Sequence, residues 1–229
     1  MPSRWSQIIG PAQRHFRSAR AKKIVEHLPQ IRQGSVIDIG GSLKFWRELD
    51  HKLNPARVTC YNLHQGRMHM GEDPAKSKVV AKIYDGKRVP EEDQSADVVI
   101  CNSVIEHVPL EARKGLAGEI SRVGRSWMVQ TPSPLFPLEL HFGLPFVHWL
   151  PRALGRIVVR VSPFHLLSGA NGPKYFDETR LLSKRELMAL FPSGQLVVER
   201  VFGIPKSYLV FGGADFAADQ VGTSQEAER

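Results

Sequence analysis

The chain has 229 residues, of which 42% are hydrophobic, and a formal net charge of +8, which predicts one folded domain and excludes a disordered chain. Its two cysteines, Cys60 and Cys101, lie in apolar runs, so buried thiols are expected and a disulfide framework is excluded. No apolar run approaches the roughly 18 residues of a membrane span, and no apolar leader follows Met1, so a cytoplasmic location is expected.

The first predicted helix covers residues 16–30, where Ala19, Ile24, Val25 and Leu28 recur at helical spacing. It belongs to a basic N-terminal region, residues 1–32, that holds seven Lys or Arg and one acidic residue. Such a region could meet nucleic acid, anionic lipid or an anionic substrate, but a solvated helix face is the simpler interpretation. No aromatic RNA-recognition motif accompanies it, so a nucleic-acid partner is not expected.

Strands and helices then alternate along the chain. Apolar and β-branched runs predict strands at residues 35–39, 57–63, 79–83, 96–101 and 127–132, with helices at residues 43–51 and 110–122. Near the end, a capping box from Ser183 and Glu186 predicts a helix over residues 183–191. Strands at 195–202 and 207–211 should form an antiparallel pair that closes the sheet. The alternation favours an α/β, doubly wound fold.

One long segment interrupts this alternation, residues 132–180. It is rich in proline and aromatic residues and too apolar to be disordered. A long insertion of this kind is usually functional, and it is predicted to be a lid or substrate insertion in a single domain of residues 1–212. Residues 213–229 are small and polar and are predicted to be a disordered tail.

The residues after the first strand, Asp38 to Ser42, predict a ligand site. Gly40 and Gly41 let the main chain turn sharply into the next helix and let a ligand approach the backbone. Ligands of open α/β sheets bind beyond the carboxyl ends of the strands, where Asp38 lies. The turn matches neither the dinucleotide fingerprint nor a Walker phosphate loop.

The order of these landmarks resembles that of the class I S-adenosylmethionine-dependent methyltransferases of the small-molecule type. The landmarks are a strand ending in Asp-x-Gly, the Asp85-Gly86 turn, the run Asn-Ser-Val-Ile-Glu-His-Val from residue 102 after the fourth strand, and a terminal hairpin. The resemblance covers about residues 20–212. It implies a Rossmann-like, seven-stranded, mostly parallel sheet with an antiparallel terminal hairpin, and S-adenosyl-L-methionine as the cofactor.

The resemblance also assigns cofactor-binding residues. Asp38, Gly40, Gly41 and Ser42 match the glycine loop under the methionine part of the cofactor, and Ser42 should also cap the following helix. Asn62 stands where the family usually has an acid that holds the ribose. Further cofactor contacts are expected from the adenine-binding turn and from the end of the fourth strand, at Asp85, Gly86, Asn102 and Ser103.

Methyl transfer from a sulfonium needs alignment above all, and a base is needed only when the acceptor loses a proton. The candidate bases are His107, which with Glu106 matches the family's Glu-His pair, and Glu139 and His141 in the insertion. The aromatic insertion favours a small-molecule or lipid-like acceptor and O-methylation. No residue spacing indicates a metal site, so no metal is predicted.

Arg152, Arg156 and Arg160 recur at every fourth position among apolar residues. This pattern is typical of a helix on an anionic membrane, which would place the protein peripherally at the inner membrane face, or of a helix packed on the main domain.

Two other functions stay open. A non-catalytic binding protein is consistent with the lost glycines and Asn62, whereas an RNA methyltransferase lacks the Asn-Pro-Pro-Tyr-like motif after the fourth strand.

Overall fold

The computed structural model describes residues 4–64, 77–139, 141–168 and 170–216. Its main sheet has seven strands, and a separate two-stranded ribbon lies in the insertion. The strands are β1 (Ser35–Ile39), β2 (Arg57–Asn62), β3 (Val79–Ile83), β4 (Ala96–Asn102), β5 (Gly124–Pro132), β6 (Leu138–Glu139), β7 (Leu144–Pro145), β8 (Gln195–Val201) and β9 (Ile204–Gly213). The sheet order is β3-β2-β1-β4-β5-β9-β8.

The first five strands are parallel, whereas β9 is antiparallel to both β5 and β8. The predicted α/β fold with a terminal antiparallel hairpin is therefore confirmed. Parallel strands require crossover connections, and helices on opposite faces of the sheet supply two of them, from β1 to β2 and from β4 to β5. The helices are α1 (Arg4–His27), α2 (Leu43–Leu53), α3 (Leu110–Val123), α4 (Arg152–Val158), α5 (Pro163–Ser168), α6 (Gly172–Glu178) and α7 (Lys184–Leu190).

Helix α1 differs most from the sequence prediction, because it begins at Arg4 and ends at His27 instead of covering residues 16–30. The chain then makes a short 3-10 turn at Pro29–Ile31 before β1. The early start matters for the site, since the first half of α1 lies over the carboxyl edge of the sheet.

The hydrophobic core has two layers, one on each face of the sheet. Strand β4 shows why: Val98 and Ile100 point to the layer under α1 and α2, whereas Val99 and Cys101 point to the layer under α3 and α7. Successive side chains of a strand point to opposite faces of the sheet, so a central strand that is apolar throughout contributes side chains to both core layers. Cys60 and Cys101 are buried as predicted, and burial raises the pKa of both thiols.

The insertion between β5 and α7 folds around a small core of its own. Phe142, Val147, Val159 and Phe176 are buried together, and α4, α5 and α6 pack around them. Helix α5 also contacts α1. The insertion and α1 therefore form one continuous layer over the end of the sheet.

The structure and the prediction differ at the C-terminal end. Residues 213–216, assigned to the tail from the sequence, continue β9 and turn into a helical segment whose Phe216 is buried against Phe211. Residues 217–229 lie outside the described residues.

Candidate active site

A cavity of about 610 Å³ opens at the carboxyl ends of β1, β4 and β5. This is where ligands of open α/β sheets bind, and the volume falls within the range of small-molecule pockets. One wall, here called the sheet wall, consists of strand-end residues: Asp38, Gly40, Gly41, Ser42, Asn102 and Ser103. The opposite wall, here called the helical wall, comes from α1 and the insertion: Ile8, Ala12, Phe16, Leu138, Phe164 and Tyr175.

The glycine turn of the sheet wall is sterically obligatory. Gly40 has φ +74°, and a Cβ there would lie 2.5 Å from Val104 Cγ2. A Cβ on Gly41 would lie 1.9 Å from Oδ2 of Asp38. Real Cβ atoms essentially never make contacts this short, so no residue with a side chain fits at either position. The backbone of the turn is therefore uncovered on the side of the cavity.

Side chains next to the turn fix its position relative to helix α2. Asp38 is buried, and its Oδ2 accepts a hydrogen bond from the indole Nε1 of Trp46 at 2.7 Å. Ser42 caps α2, as predicted, because its Oγ accepts from the backbone N–H of Phe45 at 3.2 Å. The start of α2, whose unpaired N–H groups favour an anionic ligand group, is therefore held beside the cavity.

Three of the predicted cofactor residues do not line the cavity. Asn62 is buried under the turn, where its Nδ2 donates to the carbonyl of Gly41 at 3.0 Å. Oδ1 of Asp85 accepts from the backbone N–H groups of Lys87 and Arg88, and these bonds lower the pKa of Asp85. The ribose and adenine contacts expected of Asn62, Asp85 and Gly86 stay predictions, and residues 65–76 after β2 are outside the described part of the chain.

A buried arginine that the sequence analysis missed joins α1 to the cavity. Arg20 is 5% exposed and donates to Glu199 at 2.7 Å, to Asn102 at 2.7 Å and to Gln130 at 3.0 Å. The interpretation of the basic N-terminus as a solvated face is therefore wrong for Arg20. Its spacing from Ile24, one helical turn onward, was the available signal, because both residues lie on the buried face of α1.

A second buried cation, Lys206, lies at the start of β9 and lines the cavity. Its Nζ is 4.0 Å from Glu199 Oε2 and 4.2 Å from the ring centroid of Phe16. Burial, together with the nearby Arg20, lowers the pKa of Lys206 to about 8. Two cations therefore share the single carboxylate of Glu199 beside the cavity, which makes this corner favourable for a negatively charged group.

His141, a predicted base, lines the cavity, whereas the predicted Glu139 lies behind it. Nδ1 of His141 donates to Oε1 of Glu139 at 2.7 Å, and the other oxygen of Glu139 accepts from the N–H of Phe142 at 3.0 Å. Burial alone lowers the pKa of His141, but the carboxylates of Glu139 and Glu106 outweigh it and raise the value to about 9. Glu139 therefore holds the imidazole in one orientation.

His107, the other predicted base, also lines the cavity. The hydroxyl of Thr179 donates to the carbonyl of Tyr175, so it can only accept from Nδ1 of His107, at 3.3 Å. The lone pair of His107 Nε2 therefore faces the hydroxyl of Tyr175, which lies 3.0 Å away. Glu106, next in the chain, is fully buried, and its Oε2 accepts from Thr131 at 3.0 Å.

Comparisons with known proteins agree with this architecture. A family model described as a methyltransferase domain matches residues 37–126. This part of the chain is therefore a methyltransferase domain. The matched segment runs from β1 to the first residues of β5, so all six residues of the sheet wall belong to it, whereas α1, the insertion and the terminal hairpin lie outside it. No curated protein matches the methyltransferase.

Solved structures resemble the methyltransferase over most of its length. A methyltransferase from Mesorhizobium loti has 10% identity and a TM-score of 0.55, over 83% of this chain and 95% of that one. Geranyl diphosphate C-methyltransferase from Streptomyces coelicolor A3(2), in complex with S-adenosyl-L-homocysteine, has 15% identity and a TM-score of 0.55, over 86% and 78%. A Rhodobacter sphaeroides protein described as a putative Zn-dependent alcohol dehydrogenase has 15% identity and a TM-score of 0.56, over 83% and 87%. At these identities the likeness shows the fold alone.

Of the three arginines in residues 152–160, Arg156 and Arg160 are exposed, as a membrane-facing stripe requires, whereas Arg152 is not. Arg152 is turned inward, where it donates to the carbonyls of Phe176 and Thr179 and lies over the Phe176 ring, and Arg156 pairs with Asp177 at 3.2 Å. The exposed residues of this segment include the apolar Leu154, Ile157 and Val161 as well as Arg156 and Arg160. Among the described residues of the methyltransferase, no helix is long and apolar enough to span a membrane.

Proposed function

We propose that the methyltransferase transfers a methyl group from S-adenosylmethionine to an oxygen atom of a small acceptor with an apolar body. The observation that carries the proposal is the contrast between the two walls of the cavity. The sheet wall offers bare backbone, a helix start and polar side chains, whereas the helical wall offers aliphatic and aromatic side chains. A charged cofactor and an apolar acceptor would each meet a matching surface.

The residues of the sheet wall fit the cofactor. The bare turn at Gly40 and Gly41 leaves room for the methionine part, and the start of α2 beside it suits a carboxylate. Asp38, Ser42, Asn102 and Ser103 complete this side, and Asn62, Asp85 and Gly86 would hold the adenosine part. When bound, S-adenosylmethionine supplies a methyl group on a positively charged sulfur, which is already activated as a leaving group.

The helical wall would position the acceptor and exclude water. Phe164 and Tyr175 come from the insertion and Phe16 from α1, so the two elements together would act as the lid predicted from the sequence. Alignment of the acceptor oxygen, the methyl carbon and the sulfur supplies most of the required acceleration, because well-oriented reactants gain up to ~7–11 kcal/mol of barrier lowering.

The chemical step would form a bond from the acceptor oxygen to the methyl carbon as the bond from that carbon to sulfur breaks, which leaves a neutral thioether, and the hydroxyl proton would pass to the Nε2 lone pair of His107. His107 and His141 reach the cavity and would contact the acceptor oxygen. Glu139 is a positioning residue, because it holds His141 by a 2.7 Å hydrogen bond and does not line the cavity.

The test uses ¹³C-methyl-labelled S-adenosylmethionine with the purified protein and a cell extract. We expect saturable cofactor binding by calorimetry and a labelled product whose carbon resonance identifies an O-methyl group. Leu138→Trp should fill the helical wall and abolish transfer while cofactor affinity stays within about twofold, and Leu135→Trp, at an exposed residue outside the cavity, should be neutral. A labelled N-methyl or C-methyl product would contradict the proposed oxygen acceptor.

A lipid-like acceptor reached from a membrane surface is the second form of this proposal. It is supported by Leu154, Ile157 and Val161, which are 46%, 59% and 68% exposed and follow one another at helical spacing. We expect Ile157→Asp to abolish co-sedimentation with anionic vesicles. Phe202→Asp, at a fully exposed residue of the β8–β9 turn, is the matched control. If Ile157→Asp bound vesicles as well as Phe202→Asp does, the membrane-borne acceptor would be contradicted and only a soluble acceptor would remain.

A further inference from the structure

Three potential metal ligands meet at the edge of the cavity. Glu106 and His107 belong to the 3-10 turn Ile105–His107 after β4, and His141 comes from the insertion. One ligating atom from each lies within 4.8 Å of those of the other two. His141 is 34 residues from His107 in the sequence, and this large separation is why sequence spacing indicated no metal site.

Glu106 supplies the observation that points to a missing ligand. The residue is 0% exposed, and within the described part of the chain its Oε1 accepts no hydrogen bond. That oxygen lies 3.9 Å from Nε2 of His141, whereas its sister oxygen accepts from Thr131. A buried carboxylate oxygen without a hydrogen-bond donor is costly, and a cation is one group that would satisfy it.

Both imidazoles are oriented as metal ligands usually are. Nδ1 of His141 donates to the carboxylate of Glu139, and Nδ1 of His107 donates to the hydroxyl of Thr179. Nε2 of His141 thereby lies 3.9 Å from Oε1 of Glu106, and Nε2 is the nitrogen of His107 that is left to bind a metal. Protein metal sites hold their histidines in this way, by an oxygen acceptor at the nitrogen that does not bind the metal.

We propose that Glu106 Oε1, His107 Nε2 and His141 Nε2 bind a divalent transition-metal ion of the Zn²⁺ or Fe²⁺ type. Two imidazoles and one carboxylate suit these ions, whereas Mg²⁺ and Ca²⁺ prefer oxygen ligands throughout. Bonds of ~2.0–2.2 Å at tetrahedral angles place two ligand atoms ~3.3–3.6 Å apart, so the longest separation in the cluster must shorten by up to about 1.5 Å when the ion binds. The Tyr175 hydroxyl would leave His107 Nε2 when the ion binds.

The ion would face the acceptor. His107 and His141 line the cavity while Glu106 lies behind them, so the coordination positions not taken by protein are on the cavity side. There a cation would hold the acceptor oxygen in place of the two imidazoles and lower the pKa of its hydroxyl, so that the proton is lost without a base at His107. This role rests on the proposed O-methyl transfer, whereas metal binding itself does not.

The test is titration of the chelator-treated full chain with Zn²⁺, followed by calorimetry and by the rise in Tm that a ligand of the native state produces. We expect one ion per chain, loss of at least about 100-fold in affinity for Glu106→Gln, and a loss of about 10- to 100-fold for Glu139→Gln, whose side chain only orients His141. His51→Gln removes an exposed histidine far from the cluster and should leave affinity unchanged.

Two further measurements separate the outcomes. The Co²⁺ derivative of the wild type should show a visible d–d absorption band that Glu106→Gln lacks, and Glu106→Gln should still bind S-adenosylmethionine with wild-type affinity, which shows that it is folded. Zn²⁺ affinity that is equal in the wild type and Glu106→Gln, or no binding at all, would overturn the metal site. Methyl transfer that persists in the chelated protein would leave the proposed function intact while removing the ion from it.

Discussion

The two walls of the cavity are built by different kinds of interaction. In the sheet wall, Asp38 is fixed by Trp46, which is 8 residues away, and Ser42 by Phe45, which is 3 residues away. In the helical wall, α1 is fixed through Arg20 and Glu199, which are 179 residues apart, and the insertion through His141 and Glu106.

This contrast separates a rigid half of the site from a half that depends on buried charge. The sheet wall relies on steric fit and local hydrogen bonds, which change little with pH or substitution elsewhere. The helical wall relies on ions taken out of water, whose stability depends on each keeping its partner. We expect single substitutions in the two walls to have different consequences, and the following predictions test that difference.

The largest loss of unfolding free energy is expected at the buried ion pair that anchors α1 in the helical wall. Glu199→Gln leaves the buried guanidinium of Arg20 without its carboxylate, and losing one partner of such a pair should destabilise the protein by about 3 kcal/mol. Urea unfolding measures the change. The matched control is Glu48→Gln, which removes the partner of Arg17 at 2.8 Å in a more exposed pair and should cost no more than about 1 kcal/mol. Equal losses would mean that α1 is not held by the buried pair.

The second largest effect is expected from a substitution in the glycine turn of the sheet wall. Gly41→Ala places a Cβ on the Asp38 carboxylate, which must move and give up its bond from Trp46. We expect a loss of about 2 kcal/mol in unfolding free energy, typical of overpacking, and at least a tenfold loss in S-adenosylmethionine affinity. Gly115→Ala is the control, because Gly115 lies on the exposed face of α3 and nothing lies within 4 Å of a Cβ added there. It should stabilise the protein by ~0.5–1 kcal/mol.

The sheet wall was predictable from sequence because its determinants are local. A glycine pair after an apolar strand can only be a tight turn beside a helix start, and Ser42 is a typical N-cap. Asn102 and Ser103 follow a strand that is apolar on both faces, so their place at its carboxyl end was also predictable. The mostly parallel sheet with its antiparallel terminal hairpin followed from the alternation of strands and helices, together with the family resemblance.

The helical wall was not predictable in the same way. The spacing from Ile24 places Arg20 on the apolar face of α1, but only its partner Glu199 shows that the guanidinium is buried as an ion. The Glu106–His107–His141 cluster likewise exists only after the insertion folds back on the turn that follows β4. Solvent exposure of a charged side chain is decided by tertiary contacts, and local spacing contains little of that information.

A pH measurement tests the charged half directly. Lys206 has a pKa near 8 when folded and an ordinary value of 10.5 when unfolded, so the unfolded chain binds more protons between these limits. Unfolding free energy should therefore rise with pH over this window, by at most about 1.4 kcal/mol per pH unit. Lys206→Met removes the group, and the difference between wild type and variant isolates its slope. If the unfolding free energies of the wild type and Lys206→Met changed in parallel with pH, the folded protein would not lower the pKa of Lys206.

The smallest effect compares two helix caps, one in the sheet wall and one remote from it. Ser42→Ala removes the cap of α2, and Ser183→Ala removes the capping box of α7, which does not line the cavity. Each should cost about 1 kcal/mol of unfolding free energy. Only Ser42→Ala should also weaken S-adenosylmethionine binding, because only α2 begins beside the cavity. Calorimetry on both variants measures this. An equal loss of affinity in the two would mean that the helix start contributes stability to the protein but no contact to the cofactor.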